Sequence, residues 1–318
     1  MFTRTIGRSN LPVSAVGMGC WAIGGPWWKG TTPVGWSQVD DAESVRAIHR
    51  AIELGVNFFD TADVYGCGHS ERIVGQAIAG KRNQLVIATK FGQMFDEATK
   101  QGTGVNVTPT YIKQACDASL RRLNIDAIDL YQLHVKEVDA EHAVVVRETL
   151  EELVSAGKIR WYGWSTDEAA SARIFAAGKH CAAIQVRFNI FEGNADTLRV
   201  CEEQNLAAII RSPLAMGLLT GKFDKTTKFP ADDVRSGRYD FGGKHAGEID
   251  KLAKIRSILT HDGRSLAQAA LGWLWARSEK TIPIPGFKTV AQVAENAGAL
   301  QFGALRAEQM REITGLLP

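Results

Sequence analysis

Four side chains in the first half of the chain can form a proton-delivery site if the fold brings them together. Asp60, Lys90 and His134 close successive short apolar runs, V-N-F-F-D, L-V-I-A-T-K and I-D-L-Y-Q-L-H, and Tyr65 follows Asp60 in the next loop. An unperturbed phenol, with a pKa near 10, is a poor acid at neutral pH, but a cation within about 4 to 6 Å favours the phenolate and lowers that value. Lys90 is expected to be that cation. A desolvated lysine tends to lose its own proton, and an adjacent carboxylate, here Asp60, opposes the loss. A two-unit drop in Tyr65 would represent roughly 2.7 kcal/mol of electrostatic work, which one buried neighbour can supply. His134 is then placed to donate a hydrogen bond to a carbonyl oxygen and orient it beside the phenol.

Elements with a regular rhythm are needed to gather these residues. Eight β-branched or aromatic runs recur, each followed by a stretch of helical period: SAVGMG, VNFFD, LVIATK, IDLYQLH, KIRWYGWS, AAIQVRFN, LAAIIRS and KTIPIPG. Asp40, with Glu43 three residues on, reads as a capping box before Val45, Ile48 and Ile52. A second helix is expected to start at Thr108 with Pro109 in its first turn, burying Ile112, Ala115, Cys116, Leu120 and Leu123. Eight strands alternating with helices predict an α/β fold, a (β/α)8 TIM barrel, whose site lies at the carboxyl ends of the strands. A doubly wound dinucleotide-binding sheet should carry G-x-G-x-x-G after its first strand, and G-M-G-C-W-A-I-G-G does not fit. Two segments fall outside the repeat. Residues 2 to 16 suggest a hairpin turning at Ser9-Asn10, and residues 212 to 262 read as a long, functional or mobile loop between strands seven and eight.

Composition narrows the function. With 318 residues, 45% apolar and 23% charged, the chain is expected to form one barrel domain over residues 1 to 318. Its 37 basic and 35 acidic residues leave a formal charge of +2 with no basic run, which argues against a nucleic-acid partner. Cys20, Cys67, Cys116, Cys181 and Cys201 are scattered and read as reduced thiols rather than zinc ligands. No signal-peptide core or membrane-length apolar stretch is present, so a cytoplasmic location is expected.

The motifs F-F-D-T-A-D-V-Y-G at 58 to 66, S-E at 70 and 71, A-T-K at 88 to 90 and Y-Q-L-H at 131 to 134 resemble those of the aldo-keto reductase superfamily. The resemblance runs from V-S-A-V-G-M-G at 13 to 19 to P-G-F-K-T-V-A-Q-V-A-E-N at 285 to 296. It is similar in particular to the branch that includes bacterial general stress proteins and potassium-channel β-subunits. It implies hydride transfer between NADPH and a small aldehyde or ketone, with Asp60, Tyr65, Lys90 and His134 as the catalytic tetrad. It also implies contacts to the cofactor: Cys20, Trp21, Ser165, Gln185 and Asn189 toward the nicotinamide, with Asp60 nearby; Ser212, Leu214, Gly217 and Lys222 over the pyrophosphate; Arg235 toward the phosphates; and Gly286, Lys288, Gln292, Glu295 and Asn296 around the adenosine and 2′-phosphate.

Three departures from the family pattern stand out. Arg211 replaces an aromatic residue that stacks on the nicotinamide, and its planar guanidinium can stack in turn. Gly286 and Gln292 stand where many relatives have Lys and Arg, leaving Lys288 as the clearest cation for a 2′-phosphate, so NADP is favoured over NAD. Thr166 follows Ser165 where Asn is common. Trp27, Trp28 and Trp36, in a loop after the first strand, are expected to wall the substrate, with ordinary loop packing as the alternative. Competing readings are a nucleotide-binding regulatory subunit with little turnover and an aldolase using Lys90 as a Schiff-base nucleophile. A metal hydrolase is disfavoured because no H-x-H closes a strand.

Overall fold

Residues 2–317 are described by a computed structural model. The eight expected runs become eight parallel strands: Met18–Gly19, Phe58–Asp60, Val86–Phe91, Ile128–Leu133, Ile159–Ser165, Cys181–Arg187, Ala207–Arg211 and Thr281–Pro283. They pair in chain order, and a parallel bridge between Gly19 and Gly286 joins first to eighth and closes the barrel. The seam needs a glycine: a Cβ on Gly19 would lie 2.6 Å from the Ile284 carbonyl oxygen.

Alternation along the strands sorts side chains between two environments. Phe58, Val86, Ala88, Leu130, Ile209 and Ile282 fill the interior, while Phe59, Ile87, Tyr131, Ile184 and Ile210 face the helical shell. The same alternation carries Asp60, Lys90, Gln132, Gln185, Arg187 and Arg211 inward at the upper ends of their strands. The helix begun by Thr108 spans Pro109–Leu123, and the Thr108 hydroxyl accepts from the Tyr111 N–H.

At Asp40 the cap forms, its side chain accepting from the Glu43 N–H of helix Asp41–Glu53, but the reciprocal half of the expected box does not. Glu43 turns instead to the Val290 N–H, at 2.9 Å, and to Arg46. It thereby ties this first helix to helix Val290–Phe302 on the other side of the barrel seam.

The segment 212 to 262 is less irregular than its composition suggested. It opens with a 3-10 turn, Ala215–Thr220, and contains helix Ala246–Leu259, which buries Leu252, Ile255 and Leu259. A second difference is a four-stranded sheet over the barrel mouth. It is made of Trp28–Lys29 and Thr32–Pro33 from the loop after strand one, with Gln93–Asp96 and Gln101–Val105 from the loop after strand three. These short polar, glycine-containing stretches carry no apolar period, because their partners are other loops rather than a core.

The expected amino-terminal hairpin, Thr3–Thr5 with Pro12–Ser14, closes the bottom of the barrel and inserts Ile6 and Val13 into the interior cluster. Gly7, with φ of 46°, is pressed so close that a Cβ would meet the Ala182 carbonyl oxygen. Next to it Arg8 donates to the carbonyls of Ala176, Gly178 and Gln204. Arg8→Met leaves those acceptors without their donor, so we predict a stability loss of about 1–3 kcal/mol in urea denaturation. Turnover should be unaffected, since the hairpin lies at the end of the barrel opposite the strand termini considered next.

Candidate active site

The ends of the second, third and fourth strands bring the four expected residues together. Lys90 is fully buried and spends its three N–H donors on Asp60 Oδ1 at 2.5 Å, the Thr61 carbonyl at 2.8 Å and the Tyr65 hydroxyl at 3.1 Å. Tyr65 reaches this point because the chain reverses through Gly66, Cys67 and Gly68, all in the left-handed region. His134 meets the Tyr65 ring edge-on at 5.7 Å between centroids, and Trp21 stacks on its other side at 6.0 Å. Its Nδ1 is buried without a partner.

Charge and burial compete within this group. Burial pushes the Lys90 ammonium toward losing its proton, but the Asp60 carboxylate and the Tyr65 oxygen more than compensate, and the pKa rises above its ordinary value. For Tyr65 the expected lowering does not result. Burial raises the phenol above its usual range, and Lys90 offsets that only in part. Buried beside Lys90, with Arg211 and Lys29 also contributing positive charge, His134 is held well below the usual imidazole value and is therefore neutral.

Two further residues steady the pair. Asp60 Oδ2 accepts from Gln132 Nε2 at 2.8 Å and Gln185 Nε2 at 2.9 Å, and the two amides touch each other at 3.2 Å. Gln132 was not singled out from the sequence, although it stands in Y-Q-L-H two positions after inward-facing Leu130, and period-two alternation would have found it. Below lies a second buried network, in which Glu71 accepts from the Thr89 hydroxyl and pairs with Arg122 at 2.6 Å.

The tetrad opens into a cavity of about 990 Å³, at the upper end of the range for small-molecule sites. Trp21, Asp60, Ser165, Gln185, Arg211, Ser212, Leu214, Gly217, Lys222, Arg235, Gly286, Lys288, Gln292, Glu295 and Asn296 line it, as do Tyr65, His134, Trp27 and Trp36. Four expected residues do not. Lys90 lies beneath the floor. Cys20 faces the helical shell, its thiol directed to the Met18 carbonyl. Asn189 bonds to Glu192 and to the Ser212 carbonyl at 3.2 Å, supporting the loop rather than facing the cavity. Trp28 belongs to the sheet over the mouth and is absent from the lining.

Charged residues are distributed along the whole cavity. Arg235 is fixed by both oxygens of Asp233 and lies 4.6 Å from the Trp36 ring and 4.2 Å from the Phe229 ring. Lys288 bonds to the Ser37 carbonyl at 3.2 Å, and Lys222 lies 3.5 Å from Glu295. Arg211 lines the cavity and pairs with Asp167, which fixes one edge of its guanidinium. The intervening loop holds Ser212, Ala215 and Met216 in the left-handed region, a conformation that non-glycine residues adopt at a cost and that concentrates at functional sites. Among the described residues no group of three or more His, Cys, Asp or Glu is gathered as metal ligands, and no helix is long and apolar enough to cross a membrane.

Comparison with known proteins agrees with this architecture. The Aldo/keto reductase family profile matches residues 15–318. Aldo-keto reductase yakc of Schizosaccharomyces pombe, whose name carries NADP(+), is 32% identical over 94% of this chain and 86% of its own length. The glycerol dehydrogenase AKR11B4 from Gluconobacter oxydans superposes with a TM-score of 0.86 at 32% identity, covering 99% of this chain and 94% of that one. An aldo-keto reductase from Klebsiella pneumoniae, solved in complex with NADPH, gives 0.72 at 26% identity over 100% and 96% of the two chains. With a (β/α)8 barrel and a family match over nearly its whole length, this chain belongs to the aldo/keto reductase family.

Proposed function

We propose that this chain reduces an aldehyde or ketone to an alcohol with NADPH, reversibly, as one barrel domain with Tyr65 as proton donor. The observation that carries the reading is the Asp60–Lys90–Tyr65 chain of hydrogen bonds at the floor of the cavity, with neutral His134 against the phenol. The residues present fit the cofactor: basic side chains Lys222, Arg235 and Lys288 on one side of the cavity suit its phosphates, and Ser165 and Gln185 on the floor suit a carboxamide. The names of the NADP(+)-linked yeast relative and the NADPH-bound Klebsiella structure support the same choice. When bound, the reduced nicotinamide supplies the hydride.

The side chains account for the proton. Tyr65 is protonated over the neutral range, the correct state for donating to a carbonyl oxygen as negative charge develops there. The phenolate left behind lies 3.1 Å from the Lys90 ammonium, which stabilises it, and solvent protonates it again. Asp60 keeps that ammonium charged, and Gln132 and Gln185 hold Asp60. Neutral His134 donates through Nε2 to the same carbonyl oxygen without competing as an acid. A Schiff base at Lys90 is opposed by the geometry, because the amine is charged, fully buried and has no free donor.

Loss of the phenolic proton should cost the chemistry and spare the binding. We expect Tyr65→Phe to lower kcat about 10²–10⁴-fold, followed by NADPH absorbance, with NADPH affinity by fluorescence titration within about twofold of the parent. NADPH that binds the parent protein tightly without turnover of any carbonyl compound would instead favour the regulatory reading.

His134 gives a pH test. Its folded pKa is depressed, so below about pH 6.5 the unfolded chain takes up a proton that the folded state refuses, and stability falls as pH drops. The parent should lose up to about 1.4 kcal/mol per pH unit relative to His134→Asn between about pH 6 and 5, read as the difference in urea stability. Lys288→Met should raise KM for NADPH about tenfold and leave KM for NADH nearly unchanged, since only NADPH carries the 2′-phosphate that Lys288 would meet.

A further inference from the structure

The cavity carries more positive charge than the phosphates of a cofactor require. Eight Lys and Arg side chains line it against three Asp and Glu. Four of the eight, Lys222, Arg235, Arg238 and Lys288, come from the segment after strand seven and the loop after strand eight, and three of these, all but Arg238, were assigned above to the phosphates. The other four, Lys29, Lys136, Arg187 and Arg211, come from the loops and ends of strands one, four, six and seven, and Lys29 and Arg211 are close enough to act on His134. This second group needs a different explanation.

Most of its members already have counterions. Arg211 pairs with Asp167, whose other oxygen accepts from the Arg187 N–H, and Arg187 and Arg211 are register partners on adjacent strands. The Arg187 guanidinium lies 3.5 Å from Glu192, and Lys136 pairs with Glu137 outside the cavity. Lys29 is the exception. Its ammonium bonds only to the neutral Gln93 Oε1 at 2.9 Å, and Gln93 Nε2 donates to the His134 carbonyl at 3.2 Å. A single side chain therefore links this cation to the backbone of the residue beside Tyr65.

Alongside it, Trp27 and Trp36 give the cavity an apolar wall. The combination suits a molecule with a short apolar body, a carbonyl at Tyr65 and a negative charge at its far end. Resting on the carbonyl-reductase reading above, we infer that the substrate carries an anionic group, a carboxylate or a phosphate, bound by Lys29 beside the Trp27 and Trp36 wall. Lys29 acts here as a specificity residue and takes no part in the proton transfer.

The test is steady-state reduction with NADPH of matched charged and neutral carbonyl compounds. 4-Oxobutanoate and 4-carboxybenzaldehyde are each compared with their methyl esters, and glyceraldehyde 3-phosphate with glyceraldehyde. We expect kcat/KM to favour the anion by about two- to fivefold, mainly through KM, the range for an exposed charged contact. The larger ratio of the two series identifies carboxylate or phosphate as the group. The preference should shrink between about 20 and 200 mM salt as the charges are screened, largely vanish in Lys29→Met and survive in Lys29→Arg. Equal reduction of anions and neutral partners overturns this inference and leaves carbonyl reduction standing, as does a preference unchanged in Lys29→Met. Intact NADPH binding with no reduction of any of these compounds overturns the reading on which it rests.

Discussion

A charged lysine and a charged aspartate buried together at the mouth of the barrel constrain everything around them. Removing either ion from water costs several kcal/mol, and their mutual attraction offsets that only if the remaining donors and lone pairs are also satisfied. Here they are: Lys90 has three acceptors, and Asp60 receives one ammonium and two amide N–H groups. To supply them, strands two, three, four and six must bring inward-facing polar residues to the same level, and the loop after strand two must turn back on itself. The barrel's shared register meets the first demand, and the left-handed turn at Gly66, Cys67 and Gly68 meets the second.

That arrangement also explains why the phenol keeps its proton. A fully buried Tyr65 beside a lone lysine could have become a phenolate, but Asp60 consumes much of the ammonium's field and burial opposes a second negative charge. The ion pair is thus tuned to hold the site at rest in its protonated form and to exert its full attraction only when charge appears on the tyrosine oxygen.

Much of this was legible in the sequence, for reasons particular to the residues. Asp60, Lys90 and His134 terminate strongly apolar strands, and a barrel has only one place to put such endings, so their convergence followed from the rhythm of the chain. Gln132 and Arg187 were missed because each lies one pleat from a more conspicuous neighbour, and alternation alone would have exposed them. Glu43 was misread for another reason. Its spacing from Asp40 is that of a capping box, but a tertiary partner, the Val290 N–H, competes for the side chain. The phenol's pKa was misjudged because sequence reveals a nearby cation and does not reveal how deeply the pair is buried. Helix Ala246–Leu259 was hidden by the glycine- and lysine-rich stretch preceding it.

The small sheet over the barrel mouth was the least legible element, since its strands pair with one another and borrow no period from a core. Its make-up matters for how such an enzyme changes. Because Trp28 pairs with Gln101, and Lys29 packs its stem where a Cβ on Gly102 would come within 3.1 Å, the loops after strands one and three form a single hydrogen-bonded unit. An insertion or exchange in one loop strands the edge of the other. Divergence of specificity along this lineage, or grafting of specificity in the laboratory, must therefore move the two loops as one cassette, whereas the loop after strand seven shares no strand with them and must keep only its own ties to the first loop, the Val234 N–H to the Gly35 carbonyl and Arg235 against Trp36.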